Sequence, residues 1–417
     1  MSQRFYHSYC LLLAMSVLLL QGCGETPKKT IDVDYPKTEP KSETFEIIPK
    51  AGIIQIFTNG KAIGWDEKSN CHIQFGENPT IQDARLKFRG GASSKYHKHS
   101  FSFSSKKDTL LHPNFHFDND FILNASYIDK TFLRHRLCYD IFRNLDPNNI
   151  AANCIYQEVY LDGDYQGVYI LMEEIDRSKC NISKADSSAL LIKDGIMFVA
   201  DTTDFYIQPG EDVFQQKFPK KQTAQQTDRL SRLRNFIHYS TDQTFVDSVA
   251  HYFDLDNVAS WHLLLLLSNN GDGVVKNFYW YTQNNGPWKV IPWDYDDSFG
   301  RNGDGTLQTQ GCGWERNVLL KRLFELNSHN YKQLLIGKIQ DFRKIYLNGD
   351  KLLMYITSLK ATELSPQAFD RNFEKWKINN PNYSDSMNRD EEIELLQNNW
   401  HKQINYLDSL SRTWETQ

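Results

Sequence analysis

The sequence lacks several signals that identify common classes of protein. No two of its seven cysteines form a CxxC pair, so a zinc or redox site of that kind is not indicated. Basic residues do not outnumber acidic ones, with 47 Lys and Arg against 52 Asp and Glu, which argues against electrostatic capture of nucleic acid. There is also no GxxxxGK(S/T) phosphate-binding loop and no internal repeat.

The composition that is present suffices for a large core. Of the 417 residues, 40% are hydrophobic and 13% are aromatic. This length predicts two or three domains, or one large bilobal domain. The net charge of −5 comes from well-mixed residues of both signs, as expected for a globular protein.

An N-terminal segment has the features of an export signal. Arg4 supplies positive charge, an apolar run covers residues 10–20, and Leu20-Gln21-Gly22-Cys23 follows. This order resembles a bacterial lipoprotein signal with its lipobox, which implies a signal peptide over residues 1–22 and lipidation of Cys23. A plain secretory signal or a membrane helix is the alternative, but the run has only about half the length of a spanning helix. We expect an exported lipoprotein, periplasmic or at the cell surface and membrane-anchored.

Residues 23–45 are rich in Pro, Lys, Thr and Glu and predict a flexible tether. Folded sequence begins near Glu46. The chain then divides into a β-rich part, residues 46–176, and a mainly helical part, residues 177–417. The overall class is therefore α+β.

Export would place the cysteines in an oxidising compartment. Cys10 would be removed with the signal peptide and Cys23 would carry the lipid, so five cysteines remain. Because five is odd, at least one is expected to be free or paired with another chain.

A glycine-containing hairpin loop follows the first strands. Alternating LKF and SFSFS segments flank it, and its polar members are Arg89, Gly90, Gly91, Ser93, Ser94, Lys95 and Lys98. Backbone N–H groups and cations in such a loop can hold phosphates. A surface hairpin with a solvated basic tip is the alternative.

Helical and strand patterns alternate along the rest of the chain. Apolar spacing predicts a helix over residues 129–145 and two strands over residues 154–176 around an Asp162-Gly163-Asp164 turn. Residues 203–226 are polar and irregular. Further helices are predicted over residues 228–239, 245–251, 255–267, 316–353, 366–377 and 390–411.

The stretch from residue 261 to residue 300 concentrates the acidic chemistry. An apolar helix leads to a loop with Asp272, Lys276 and Asn277, and two strands then lead to Asp294, Asp296 and Asp297. Asn284-Asn285-Gly286 between the strands predicts a hairpin. Because a hairpin returns the chain to its start, the two acidic groups should lie close together. Clustered carboxylates with an amide suit a cation such as Mg²⁺.

The spacing within this stretch matches phosphoryl transfer enzymes. Asp272 and Asn277 are five residues apart, which is also the separation of the catalytic base and the metal-binding Asn in the kinase catalytic loop HRDxxxxN. Asp294 or Asp296 follows them in the chain, as a further metal-binding Asp follows that loop in kinases. Helix caps and turns are the common alternative use of such residues. An EF-hand calcium loop that begins at Asp294 is excluded, because Phe299 occupies the position that requires Gly and Gly305 the position that requires Glu.

Five ordered motifs over residues 50–350 resemble the spore coat protein CotH kinase family. They are Arg89-Gly90 with Ser93, Ser94 and Lys98; Asp129 with Leu133 and Arg134; Gly163-x-Tyr165-x-Gly167-Val168-Tyr169 leading to Glu173; Asn270-x-Asp272 with Asn277; and Pro292-Trp293-Asp294-x-Asp296 with Phe299-Gly300. The resemblance implies an atypical protein-kinase-like bilobal fold. It also implies use of ATP with Mg²⁺ or Mn²⁺ to phosphorylate Ser or Thr of secreted proteins.

The resemblance assigns roles to individual residues. Asp272 would be the catalytic base, and Asn277, Asp294 and Asp296 would bind metal. The nucleotide-binding set would be Arg89, Ser93, Ser94, Lys98, Glu173 and Lys276. Two departures stand out: His99 occupies a position where the family has a second lysine, and the helix predicted from Asp129 lacks a Glu, so that Arg134 is its only inward ionic candidate.

These observations favour an exported, membrane-tethered kinase that transfers the ATP γ-phosphoryl group to a protein hydroxyl. The alternative is a non-catalytic surface lipoprotein that binds glycan or protein through its 9 Trp and 21 Tyr residues, with the acidic cluster as a structural cation site. The acceptor and the oligomeric state stay open.

Overall fold

The computed structural model of the protein describes residues 52–76, 82–193, 198–199, 214–346, 355, 366–378 and 383–415. The predicted signal peptide, the lipidation site Cys23 and the tether lie outside these residues. Within the described residues, no helix combines the length and the apolar character needed to cross a membrane.

A closed β-barrel forms the first half of the described chain. Its strands are β1 (Gly52–Phe57), β2 (Ser69–Phe75), β3 (Gln82–Arg89), β4 (Ser100–Thr109), β5 (Asp118–Asn124), β6 (Cys154–Leu161) and β7 (Asp164–Glu173). They are ordered β1-β2-β3-β4-β5-β7-β6, and a parallel pairing of β1 with β6 closes the barrel. Apolar residues that alternate along the strands, such as Ile54, Ile56, Phe101 and Phe103, fill the interior. The predicted turn between β6 and β7 is confirmed at Asp162-Gly163, where both residues have positive φ.

A second, four-stranded sheet follows the barrel. Its order is β11-β10-β8-β9, with β8 (Leu190–Lys193), β9 (Gln215–Phe218), β10 (Phe278–Thr282) and β11 (Lys289–Pro292). The predicted hairpin is thus confirmed as β10 and β11. The prediction of irregular chain over residues 203–226 is wrong for β9, because this polar segment pairs with β8. The β9 segment has a low strand propensity, and hydrogen bonding to the edge of β8 stabilises it as a strand.

One helix, α1 (Arg134–Leu145), lies between β5 and β6, and helices form most of the second half. The helices of the second half are α2 (Ala224–Tyr239), α3 (Asp242–Tyr252), α4 (Leu255–Ser268), α5 (Val318–Glu325), α6 (Tyr331–Tyr346), α7 (Pro366–Lys375) and α8 (Arg389–Glu415). The predicted continuous helix over residues 316–353 is wrong, since Asn327 and His329 have positive φ between α5 and α6. A sheet-rich first half and a helical second half confirm the α+β class. The described residues from 52 onward belong to one compact unit, and their division into two lobes at residue 176 stays a prediction.

Helix α4 is the centre of the helical half. Its residues 257–268 are all buried, and it packs against α1, α6 and α8. A helix that is apolar on every side belongs inside the core. The carboxylate of Asp254 caps its start by accepting the N–H of Asn257 at 3.1 Å. Asn269, in the left-handed conformation, ends it and turns the chain toward Asp272.

Helix α1 begins at Arg134, five residues later than predicted. The carboxylate of Asp129 accepts the N–H groups of Thr131 at 3.1 Å and Arg134 at 3.0 Å, so it caps the helix from outside. Phe132, with φ 63°, forms part of a turn that precedes the helix. The residues before Arg134, which were predicted to form the first turn of the helix, therefore form a turn in which the Asp129 side chain caps the helix.

The five cysteines outside the N-terminal stretch are all free and buried. This agrees with the expectation that at least one is free or paired with another chain. Burial raises the thiol pKa to about 11 for Cys71 and about 12 for Cys154, which makes the reactive thiolate scarce at neutral pH.

A charge network joins α1, the segment after β11 and α8. It comprises Asp129, Lys130, Arg134, Arg301, Asp385 and Glu392. Arg134 contacts Asp129 at 2.6 Å and Glu392 at 3.3 Å, and Arg301 also pairs with Glu392. Arg134 is fully buried and Glu392 is 1% exposed. Three cations thus balance three carboxylates where single charges would be strongly unfavourable.

Replacement of Glu392 by Gln should strongly destabilise the protein. The change leaves two buried guanidinium groups with one fewer negative partner, and breaking a buried pair costs about 3–5 kcal/mol. Urea unfolding measures the loss. The matched control is Asp228→Asn, which removes the exposed 2.8 Å pair with Arg232 and should change the free energy of unfolding by less than about 1 kcal/mol. Equal effects of the two changes would contradict a structural role for the network.

Candidate active site

The β10–β11 hairpin brings the two acidic segments together. The N–H of Trp293 donates to the carbonyl of Asn277 at 3.0 Å, and the Asn277 side-chain amide donates to the carbonyl of Asp294 at 3.3 Å. The N–H of Asp272 donates to a carboxylate oxygen of Asp297 at 3.1 Å. The predicted proximity of the two segments is therefore observed.

Uncommon backbone conformations hold these side chains in place. Asn277 has φ 62° and Asp294 has φ 59°, both in the left-handed region. Asn and Asp tolerate this region better than other side chains do. Phe299 and Gly300 also have positive φ, and a Cβ on Gly300 would lie 2.4 Å from the Asn399 amide. The glycine at 300 thus permits α8 to approach the acidic segment closely.

Asp272 lies at the mouth of the cluster. Its side chain is 36% exposed, and Lys276 lies 3.0 Å from its carboxylate. Burial disfavours the charge on Lys276, but Asp272, Asp294 and Asp297 outweigh it and raise the pKa of the ammonium group. Lys276 is therefore a cation that the carboxylates hold in place, and Asp272 stays accessible to a second molecule.

The remaining carboxylates repel one another. Burial and the neighbouring Asp294 raise the pKa of Asp296 well above its usual range. Burial and the neighbouring Asp272 raise the pKa of Asp297 to about 6. Such mutual repulsion is relieved by a bound cation. Oxygen ligands from Asp294, Asp296 and the Asn277 amide fit Mg²⁺ or Mn²⁺ by ligand type.

His135 belongs to the same cluster, which the sequence did not indicate. One potential ligand atom from each of His135, Asp294 and Asp296 lies within 4.8 Å of the others. However, His135 Nδ1 accepts the N–H of Tyr295 at 2.8 Å, so the neutral imidazole carries its proton on Nε2. That nitrogen lies 3.9 Å from Asp294 Oδ1. This distance is longer than a hydrogen bond, and the same nitrogen lies 3.4 Å from the side-chain nitrogen of Asn124. His135 is therefore a buried neighbour of the acidic cluster whose Nδ1 is already occupied by the Tyr295 N–H. No motif marks His135, and only the packing of α1 against the segment after β11 places it here.

The glycine loop lies beside the cluster. The Arg89 guanidinium carbon is 5.8 Å from the Trp293 ring centroid, next to Asp294. Tyr96 stands at the end of the loop. Burial raises the pKa of its hydroxyl, and the negative charge of Asp296 is the next largest cause. The structure thus brings the loop and the acidic cluster together.

The loop itself is a short 3₁₀ turn over Ala92–Lys95. Ser93 and Ser94 are exposed, and the Ser94 hydroxyl donates to the Gly91 carbonyl at 2.8 Å. Gly90 has φ 143°, and a Cβ there would lie 2.5 Å from the Ser93 hydroxyl. A glycine is therefore required at this bend.

Lys98 and His99 face the interior of the protein. Lys98 is 2% exposed, and its ammonium donates to two backbone carbonyl oxygens and, at 3.0 Å, to the side-chain oxygen of Asn372. Burial lowers the pKa of Lys98. His99 packs edge-on against Trp65 and Phe88, with ring centroids 5.1 Å apart in each pair. The structure does not bring Lys98 to the acidic cluster, and its contact with phosphate stays a prediction.

Glu173 ends strand β7 and is 3% exposed. Its carboxylate accepts N–H groups of His116 and, at 2.8 Å, Asn153, and it pairs with Lys179. These contacts tie together three segments at the end of the barrel. The role of Glu173 in nucleotide binding stays a prediction.

The chain matches known proteins over most of its length. The family model described as CotH kinase protein matches residues 86–411. The inner spore coat protein H of Bacillus subtilis (strain 168) is 25% identical over 291 residues, which cover 66% of this chain and 76% of that protein. A solved complex of the Shewanella oneidensis MR-1 toxin–antitoxin system HipA, HipB and its operator DNA covers 81% of this chain and 75% of its own, with 12% identity and a TM-score of 0.31, which is too low to support an argument. The family match includes the candidate base, the acidic cluster and the buried helix α4, and the chain belongs to the CotH kinase protein family.

Proposed function

We propose that this protein is an exported, membrane-tethered atypical protein kinase that transfers the γ-phosphoryl group of ATP to Ser or Thr of a secreted or surface protein. The observation that carries the proposal is the junction of Asp272, Asn277, Asp294 and Asp296 beside the Arg89 loop. We also propose that the barrel and the helical half are the two lobes of a kinase-like fold.

Each group has a distinct task in this reaction. Asp272, accessible and close to Lys276, accepts the proton of the acceptor hydroxyl as its oxygen bonds to the γ-phosphorus and the bond to ADP breaks. Asn277, Asp294 and Asp296 would hold Mg²⁺ or Mn²⁺, which neutralises phosphate charge when bound. Arg89, Ser93 and Ser94 of the loop would contact the phosphates.

The alternative of a glycan-binding lipoprotein has little support. It relied on aromatic side chains as stacking platforms, but Trp261, Trp280 and Trp400 are fully buried. Trp65, at 40% exposed, is the tryptophan in the described part of the chain that is most open to solvent. The aromatic residues mainly form the core.

Changes at Asp272 and Asp294 should separate catalysis from binding. Asp272→Asn should lower phosphoryl transfer from labelled ATP to a Ser/Thr-rich protein by about 10²–10⁴-fold, because the base is lost. It should keep the stabilisation by ATP and Mn²⁺, about 2.7 kcal/mol at a hundredfold excess over Kd. Asp294→Asn should lose both transfer and stabilisation. Thermal shift and label transfer are measured on the same samples, with Asp228→Asn as the control.

The outcomes distinguish the proposals. A folded wild-type protein that shows neither nucleotide-dependent stabilisation nor label transfer would rule out the kinase assignment. Unfolding of Asp294→Asn in the absence of nucleotide would instead make the cluster a structural cation site.

The acidic cluster should make stability depend on pH. The folded-state pKa of Asp297 is raised to about 6 from 3.8, so between these values the folded protein binds more protons than the unfolded chain. Stability in EDTA should therefore fall as pH rises from 4 to above 6, to an extent that Asp297→Asn reduces. Saturating Mg²⁺ should reverse the loss at high pH, because the ion favours ionised carboxylates. Urea unfolding at several pH values measures both effects, and an identical pH profile for wild type and variant would refute the role of Asp297.

Membrane attachment depends on the proposed lipidation of Cys23. Cys23→Ser should release the protein from the membrane fraction and abolish its labelling by a fatty-acid probe, because a lipid anchor stabilises membrane binding through its buried methylene groups. Fractionation of cells that express each form measures the difference. A variant that stays in the membrane fraction would show that the anchor lies elsewhere.

A further inference from the structure

A polar cleft of about 470 Å³ lies next to Asp272 and takes no part in the metal-binding cluster. Asn269 and Gly271 form one side, and Asn302 with residues 308–313 and Arg316 forms the other. None of the lining residues belongs to the glycine loop or supplies a candidate metal ligand. Its volume falls within the ~300–1,000 Å³ typical of ligand pockets.

The cleft lies beside the loop that carries the candidate base, Asp272. Gly271 immediately precedes Asp272, and a Cβ on Gly303, the neighbour of Asn302, would lie 3.1 Å from the Asp272 carboxylate. A molecule in the cleft would therefore lie next to the loop that carries the proton acceptor of the proposed reaction.

Arg316 is the charged residue that lines the cleft. Its Nε donates to the carbonyl of Gly313 at 3.2 Å, and its Nη2 donates to the carbonyls of Gly271 at 2.7 Å and Cys312 at 2.9 Å. These bonds fix the plane of the guanidinium group and connect it to the residue before Asp272.

The other side of the Arg316 guanidinium group has no partner of opposite charge. Within the part of the chain that the structure describes, Arg316 forms no ion pair, and its Nη1 makes no hydrogen bond. Lys276, the other nearby cation, is already paired with Asp272. A half-buried arginine that is held in position but unpaired is suited to bind an anionic group from outside.

We infer that this cleft receives the acceptor segment of the protein substrate, and that Arg316 pairs with an acidic side chain close to the hydroxyl that is phosphorylated. This inference rests on the proposed kinase function and adds to it a preference for the acceptor sequence. The exposed Thr309 and Gln310 line the outer part of the cleft, where they would contact the polypeptide beyond the acidic residue.

Peptide binding without nucleotide tests the inference. Three fluorescent peptides, blocked at both ends, differ only in the residue after a single Ser, which is Glu, Gln or Lys. The wild-type protein should bind the Glu peptide about tenfold (about 1.4 kcal/mol) more tightly than the Gln peptide, because a hydrogen bond to a charged acceptor is stronger than one to a neutral amide. Fluorescence anisotropy gives the affinities. Arg316→Gln should bring the Glu and Gln peptides to the same affinity, and Arg316→Lys should retain part of the difference.

Thr309 provides a second test, because Arg316 also supports the backbone. The Thr309 side chain makes no hydrogen bond to the described residues, so its replacement leaves that support intact. Thr309→Glu should weaken binding of the Glu peptide, and Thr309→Lys should strengthen it. The matched control is Ser231→Glu at an exposed position of α2, which should leave peptide affinity unchanged.

Three results of the peptide titrations would overturn the inference: equal affinity of the wild-type protein for the Glu and Gln peptides, tighter binding of the Lys peptide, and an unchanged preference in Arg316→Gln. Inorganic phosphate that competes with the Glu peptide at lower concentration than free glutamate would also overturn it, by making the cleft a phosphate site. The nucleotide-dependent thermal shift of the same samples tests the kinase function separately, so the two proposals can fail independently.

Discussion

The buried charge network of Asp129, Lys130, Arg134, Arg301, Asp385 and Glu392 is the constraint on which the arrangement of the site depends. Its members come from three distant parts of the sequence, and none could be buried alone. Arg134 also donates from Nε to the carbonyl of Ser298 at 2.9 Å, between the acidic segment and the Phe299–Gly300 bend. The start of α1, the segment after β11 and the start of α8 are thereby fixed relative to one another. The network thereby anchors the segment that carries the proposed metal ligands Asp294 and Asp296, and Asp297, whose carboxylate accepts the N–H of Asp272.

The acidic cluster illustrates the opposite principle. Its carboxylates lie close together without enough cations, and the pKa values of Asp296 and Asp297 rise because burial and neighbouring carboxylates both disfavour the charged forms. A structural network satisfies its charges internally, whereas this cluster can be satisfied by a divalent ion. The contrast between the two groups explains why one is assigned to the fold and the other to the site. His135 connects them, since it follows Arg134 in α1 and lies near Asp294.

Much of the site was predictable because its parts are local in sequence. The separation of Asp272 from Asn277 and the Asn-Asn-Gly turn of the hairpin identified the two acidic segments, and the β10–β11 pairing brings them together as predicted. His135 and Arg316 were not predicted, because neither stands in a motif with the residues that it approaches. Lys98 is the opposite case: its position in a motif predicted a place in the site, but its ammonium group contacts carbonyl oxygens and Asn372, away from the cluster.

The sequence by itself determined the elements with strong local signals. These include the apolar helix α4, the alternating barrel strands and the glycine and asparagine residues that permit positive φ at the turns. Only the tertiary structure decided the pairing of β9 with β8, the late start of α1 and the charge network. Periodicity and turn preference act within a few residues, so they can be read along the chain. Burial, and the choice of partner for a buried charge, depend on which distant segments meet.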